Sequence, residues 1–395
     1  MTALERRATL ALASVSGLRM LGMFIVLPVF ALFAETLPGG RDRTLVGLAL
    51  GAYGLTQALL QVPFGWASDR WGRRPVIYSG LLLLACGSFV AAWAPTIMWT
   101  IVGRAIQGAG AVSAAVVALA ADATRDTVRT RAMAVIGVTI GLSFALSLVA
   151  GPLLDTAIGV PGIFALTGVL ALVAMAVVRF AVPQVTVPTR SERTRGFFAV
   201  LVDRNLLRLN YGIFALHALL MALFVELPFA LRDNGIAPDR QWEVYLPVVV
   251  LSIALMWPFA RSIDQPRRGK PVFVGAVAVL LVAQATLAFG LDSLSTLVAG
   301  LLMFFAAFNL LEATLPSLVS RYAPAELKGS ALGVYASLQF LGAFVGAAAG
   351  GALAQHAGPA SVFAFGVALT AVWLVVGATM TAPPAYPSNY SMGET

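Results

Sequence analysis

The chain has 395 residues, of which 59% are hydrophobic and only 11% charged, and its mean hydropathy is +0.88. Soluble domains carry about 25% charged residues, so a water-soluble core is excluded and lipid must be the solvent for much of the surface. The net charge of +8 does not indicate nucleic acid, because the basic residues form short clusters between long apolar runs, as membrane-protein loops do.

A spanning helix needs roughly 20 predominantly apolar residues. That rule predicts twelve segments: 8–34, 45–68, 75–93, 95–121, 132–154 and 161–182, then 206–231, 244–263, 271–291, 294–319, 331–355 and 359–380. The first follows Arg6 and Arg7 and is too long for a signal peptide, so it is expected to be retained as a membrane helix. Only Ala94 and the helix-starting Pro95 separate the third and fourth. The single cysteine, Cys86, excludes an intrachain disulfide, and His217 and His356 are too few for a histidine-rich metal site. The sequence therefore divides into a six-helix bundle (1–182), a basic cytoplasmic linker (183–204), a second six-helix bundle (205–382) and a polar tail (383–395).

Counting Lys and Arg loop by loop puts twenty on one side, including Arg70, Arg73 and Arg74, and four on the other: Arg41, Arg43, Arg232 and Arg240. Positive charge marks the cytoplasmic side, so both termini are expected there. An even number of spans requires the termini to share a side, which agrees.

The two halves are related. Phe24 to Pro28 matches Phe224 to Pro228 at an offset of 200. Pro63-Phe64, with Asp69 and Arg73, matches Pro258-Phe259, with Asp264 and Arg268, at 195. Arg129 to Val135 matches Lys328 to Val334 at 199. Shared apolar composition explains Leu and Ala matches, but not paired Pro, Asp and Arg. A six-helix repeat has parallel topology, and such folds place their substrate site near the midplane between the halves.

The strongest motif runs from Gly65 to Arg74 as Gly-Trp-Ala-Ser-Asp-Arg-Trp-Gly-Arg-Arg, between the second and third segments. Gly72 permits a tight turn, and Arg70, Arg73 and Arg74 hold the loop inside. Asp69 can pair with an arginine or with a helix N-terminus. This loop resembles motif A of the major facilitator superfamily, although the usual leucine two places before the aspartate is Ala67. The resemblance implies a twelve-helix fold of two pseudo-symmetric bundles. It also implies a conformational latch of Asp69 and Arg73, with Asp122 as a further partner. Simple positive-inside anchoring, with Asp69 as a helix cap, is the plainer account, but it does not require both Asp69 and Gly72.

In the fourth segment Arg104 precedes Gln107-Gly108-Ala109-Gly110. An arginine at membrane depth costs roughly 2.5–3.5 kcal/mol on insertion scales, so it faces protein or water. The stretch looks like motif B, in which the arginine is linked to proton coupling. A buried arginine that only braces helices is the equal alternative. The fifth segment ends in Gly151-Pro152, where antiporters of the superfamily carry a glycine-rich motif C. Ser147 and Asp155 stand at glycine positions, so this motif is degenerate. The glycines Gly47, Gly51, Gly342, Gly346 and Gly350 are expected to serve close helix packing.

The remaining polar groups within the apolar segments are Arg19, His217, Glu226, Asn309 and Glu312. Buried ionisable groups in membrane helices are functional candidates, and either His217 or Glu312 could carry a proton. Arg19, Gln107, Glu226 and Asn309 are expected to line a substrate cavity. Two stretches, Leu18 to Phe24 followed by Leu27-Pro28, and Phe308 to Leu318, narrow the resemblance, together with Gly333-Val334-Tyr335 and Gln339 to Ala343. They are similar to the YajR-type branch, proton-driven efflux transporters of bacteria. That branch carries a further soluble C-terminal domain, which is expected to be missing after Met380.

The expectation is therefore a multi-pass protein of a bacterial inner membrane that exports a small molecule in exchange for protons. It would work as a monomer in lipid, without nucleic acid, metal or cofactor, and with a proton gradient as its driving force. The alternative is an importer or facilitator of a small anionic metabolite held by Arg19 and Arg104. A scaffold or sensor is disfavoured by the latch motif. An enzyme is disfavoured because no nucleophile with a matching base and no phosphate loop is present.

Overall fold

The computed structural model describes residues 1–183, 197–260, 268–324 and 327–380. Most of the expected linker (184–196), the end of the eighth segment (261–263), Asp264 of the repeat and the tail from 381 onward lie outside the described residues. Within them the chain is helical throughout: α1 Ala3–Phe24, α2 Leu27–Ala34, α3 Arg43–Trp71, α4 Arg73–Ala92, α5 Ile97–Ala109, α6 Ser113–Asp122 and α7 Asp126–Phe180. There follow α8 Phe197–Val202, α9 Arg204–Asp233, α10 Trp242–Ala260, α11 Gly269–Phe289, α12 Leu294–Tyr322, α13 Lys328–Ala357 and α14 Pro359–Ala378. Helices are the natural solution in lipid, because each satisfies its own backbone polar groups. Several ends are set by the sequence. Thr2 and Glu5 form a reciprocal capping box on α1, and the carboxylates of Asp42 and Asp203 accept from the first amides of α3 and α9.

Three details differ from the sequence expectation. The first span is broken at Ile25 and Val26, where Pro28 at the start of α2 has no N–H to continue α1. The fourth span starts at Ile97 rather than Pro95, and it is interrupted at residues 110–112 before α6 begins. The end of the linker is not featureless, since residues 197–202 form α8.

The 55 residues of α7 are two spans, not one. Ser147 donates to the carbonyl of Leu21 and Thr167 to that of Gly22, both at 3.3 Å. In a straight helix residues 147 and 167 would lie about 30 Å apart, so the chain must double back between them. It does so at Gly159, whose φ of 67° and ψ of 167° are not helical and favour glycine. Gly358, 199 residues later, makes the same turn (φ 85°, ψ 169°) between α13 and α14. The repeat seen in sequence thus recurs as a repeated backbone conformation. Eleven described helices are long and apolar enough to span a membrane, and counting both arms of α7 gives the expected twelve.

The halves, α1–α7 and α9–α14, meet chiefly where α13 lies against α3, with α13 also packed on α9. A Cβ placed on Gly47 would sit 2.2 Å from the Ala347 carbonyl oxygen and 3.0 Å from Gly351 Cα. The backbones are therefore in contact, as small residues allow in lipid. Gly47→Val should force α3 and α13 apart and abolish transport while leaving each half folded. Normal transport by this variant would show that the contact is not needed in the working cycle.

Candidate substrate and coupling site

The loop from Gly65 to Arg74 lies at one end of the bundle, called here the basic end. Gly72 (φ 94°) separates α3 from α4. Arg73 forms ion pairs with Asp69 and, at 3.1 Å, with Asp122 at the end of α6. It also donates to Ser68 at 2.8 Å, and Ser68 in turn donates to the Gly65 carbonyl. Arg74 donates to the Val182 carbonyl, and the Arg70 guanidinium lies over the Trp66 ring. The residues expected to form the latch are thus brought together, and their contacts stay within the first half. At the same end Glu5 and Arg125 pair at 2.7 Å, and Arg7 donates to the Phe180 carbonyl.

At mid-depth the first half holds two buried guanidiniums. Arg19, 4% exposed, donates to the Tyr53 hydroxyl (3.3 Å) and to Ser113 Oγ (2.5 Å). Arg104, 2% exposed, donates to Gln107 Oε1 (3.0 Å) and the Leu50 carbonyl (3.4 Å), and lies 5.1 Å from the Tyr53 ring centre. Among the described residues neither has a carboxylate within 4 Å. Gln57 donates to Gln61 and Ser113, while its own Oε1 has no partner.

The second half holds a carboxylate in the middle of one of its spans. Glu312 of α12 is held by Gln339 of α13, whose Nε2 lies 3.4 Å from Glu312 Oε1 and 2.7 Å from His217 Nε2 on α9. His217 Nδ1 is 3.9 Å from Glu312 Oε2. One amide therefore links the two candidate proton carriers. Between the halves stands an aromatic wall: Phe144 of α7 packs on Phe24 (5.0 Å between ring centres), Phe305 (6.1 Å) and Phe308 (5.9 Å). Phe308 also packs against the His217 ring at 5.9 Å.

Of the residues expected in the cavity, Glu226 lies elsewhere, while Gln107, bonded to Arg104, and Asn309 each brace neighbouring helices. Glu226 is 3% exposed at the far end, opposite the basic loop, and pairs with Arg43 of the other half at 2.9 Å. Gln107 is buried and braces α5 to α4 through Ser88 (2.7 Å). Asn309 braces α12 to α10 through Ser252 (3.1 Å). Gly151, followed by Pro152, packs against the Ile25–Pro28 break of the first span.

The far end is where the halves bind each other through polar groups. The Arg43 side chain reaches Glu226, and its backbone N–H donates to Gln355 Oε1 (2.8 Å). Arg232 pairs with Glu35 at 2.8 Å. Both guanidiniums lie over the Phe229 ring, at 3.4 and 5.2 Å. Sequence reading missed Arg43, Gln355, Gln339, Tyr53 and Ser113. Toward the basic end, by contrast, positions Gly137 and Gly141 of α7 and Gly329 and Gly333 of α13 face open space. A recess at the α11–α12 turn, lined by Val282, Phe289 and Asp292, includes none of these charged groups.

Twelve spans in two repeated halves, joined around a polar midplane, define a secondary membrane transporter rather than an enzyme. The chain matches the Major Facilitator Superfamily over residues 12–347 and belongs to it, as a YajR-type member. It is 44% identical to the inner membrane transport protein YajR of Escherichia coli (strain K12), over 97% of this chain and 85% of that one. It is also 27% identical to the multidrug resistance protein MdtH of Aeromonas hydrophila, over 88% of this chain and 87% of that one. Among solved structures it resembles a bacterial homolog of the human lysosomal transporter Spinster, in an inward-facing and occupied conformation. The TM-score is 0.75 at 14% identity, covering 96% of each chain. The protein is accordingly a multi-pass inner-membrane transporter.

Proposed function

We propose that this protein exports a small molecule in exchange for protons by alternating access, with both termini in the cytoplasm. The observation that carries the reading is the Glu312–Gln339–His217 cluster, drawn from the middle turns of α12, α13 and α9 in a half whose counterpart holds two buried guanidiniums in the middle of its spans. An ionised group at that depth is costly unless compensated, and rocking of the halves changes what compensates it. The ties between the halves at the far end support a form closed there, with the opening at the basic end, which this reading places in the cytoplasm. The Asp69–Arg73–Asp122 cluster, already paired within the first half, then serves as the preformed latch surface that the second half meets when that end closes. One chain supplies both walls of the cavity, so the working unit is a monomer in lipid. The proton gradient is the driving force, and no cofactor is required.

Purified protein in proteoliposomes loaded with a pH-reporting dye tests the coupling. Candidate substrates on one side should provoke proton movement in the opposite direction, faster than in empty liposomes. Substrate flux that is indifferent to an imposed pH gradient would replace the exchanger with a facilitator. The orientation is tested separately by fusing a reporter that is active only outside the inner membrane to the C-terminus. Silence is expected, and strong activity would invert the topology.

A further inference from the structure

The substrate class can be read from the uncompensated charge of the first half; this step depends on the midplane groups being the substrate site. Arg19 and Arg104 are both at least nine-tenths buried, yet every hydrogen-bond acceptor they meet is neutral. Arg104 Nε has no partner at all. Buried charge persists when something in the cycle compensates it.

An independent feature adds to the same potential. The fourth span is interrupted at residues 110–112, so α6 begins at mid-depth with Ser113. Its N-terminus has no side-chain cap. The first helical amides of such an end lack intrahelical partners and carry partial positive charge. Discontinuous membrane helices present these ends to anionic groups. Here the end is also where a guanidinium points, since Arg19 donates to Ser113 Oγ. Tyr53 and Gln57 complete the surround, and the Tyr53 ring packs on Phe340 of the second half at 6.3 Å between ring centres.

We propose that the substrate is an organic anion. Its acidic group seats at the N-terminus of α6 against Arg19, with Arg104 reinforcing the potential, and its apolar or aromatic body lies on the Tyr53 and Phe340 rings. A cation would meet two like charges there, so the same groups that hold the anion reject its opposite. Exchange of a monoanion outward for a proton inward moves two charges in the same electrical sense, so an interior-negative potential should accelerate it.

Fluorescein and rhodamine 123 share a fused-ring frame and differ in charge, which makes them suitable probes. Fluorescence anisotropy on the detergent-purified full chain should show saturable fluorescein binding, about tenfold or more tighter than rhodamine 123. Arg19→Gln should weaken fluorescein about tenfold or more without weakening rhodamine 123, and Arg19→Lys should recover part of the loss. Preference for the cation, equal affinities, no saturable fluorescein binding, or unchanged fluorescein binding by a folded Arg19→Gln would each overturn the assignment. The wild-type preference alone decides the matter if that variant does not fold. These binding measurements need no gradient. Anion preference without pH-driven flux would support the substrate class and remove proton exchange, and a pH-driven flux confined to cations would do the reverse.

Discussion

Arg43→Ala is expected to release the far end of the molecule and shift the protein toward the form open there. Arg43 pairs at 2.9 Å with Glu226, a carboxylate only 3% exposed. Removing one partner of a buried pair costs about 3–5 kcal/mol, mostly because the other charge is left uncompensated. That penalty falls on the closed far end, whereas separation of the halves returns Glu226 to water. An equilibrium moves only by such differential energy. A shift of about 3 kcal/mol is roughly a hundredfold change in population. The two partners are unequal, since the Arg43 side chain is 23% exposed. Glu226→Gln strands a cation that can already reach water, so its effect should be smaller. Combining Arg43→Ala with Glu226→Gln should recover much of the loss. The readout is labelling of Ala347→Cys by a membrane-impermeant maleimide, in a Cys86→Ser background. Ala347 is fully buried against Gly47, so labelling should accelerate steeply once α3 and α13 part. Slow labelling in Arg43→Ala, equal to the parent, would show that the pair does not hold the gate.

Glu312→Gln should preserve the fold and bring pH-driven transport down to background. The amide has the shape of the carboxylic acid and can still accept from Gln339, so the α12–α13–α9 link survives. What it cannot do is take up and release a proton. Substrate exchange without a gradient should therefore continue, because substrate contacts and rocking remain. Counterflow of labelled substrate, measured beside gradient-driven uptake in the same vesicles, separates the two. Full gradient-driven transport by the Gln variant would move the coupling role to His217, 3.9 Å away, or to another group.

The sequence made the spans and the two halves legible because apolar run length and loop charge are local signals. Gly159 and Gly358 were placed between predicted segments without their shared conformation being foreseen. The interruption of the fourth span is harder to read. Gly108 and Gly110 signal flexibility, but the runs on either side are equally apolar. The site was legible as a set of residue types and not as a set of contacts. Glu226 looked like a cavity residue because it is a carboxylate within an apolar run. Its partner Arg43 lies 183 positions earlier and looked like an ordinary loop charge. Likewise Gln339 joins His217 to Glu312 only because α13 brings it between α9 and α12. A glutamine does not ionise, so a search for buried titratable groups passes over it. The hydrogen-bond donor to Glu312 is the Gln339 amide, a contact that residue type alone does not signal.

The glycine contact between α3 and α13 also bears on speed. Helices that interlock bulky side chains must unseat each knob before they can tilt, and each unseating raises the activation barrier. A seam of backbone on backbone, as at Gly47, Ala347 and Gly351, has little to unseat and behaves as a smooth bearing. The time a molecule spends facing one side is then governed by a few polar fasteners at the rim, which one or two substitutions can loosen or tighten.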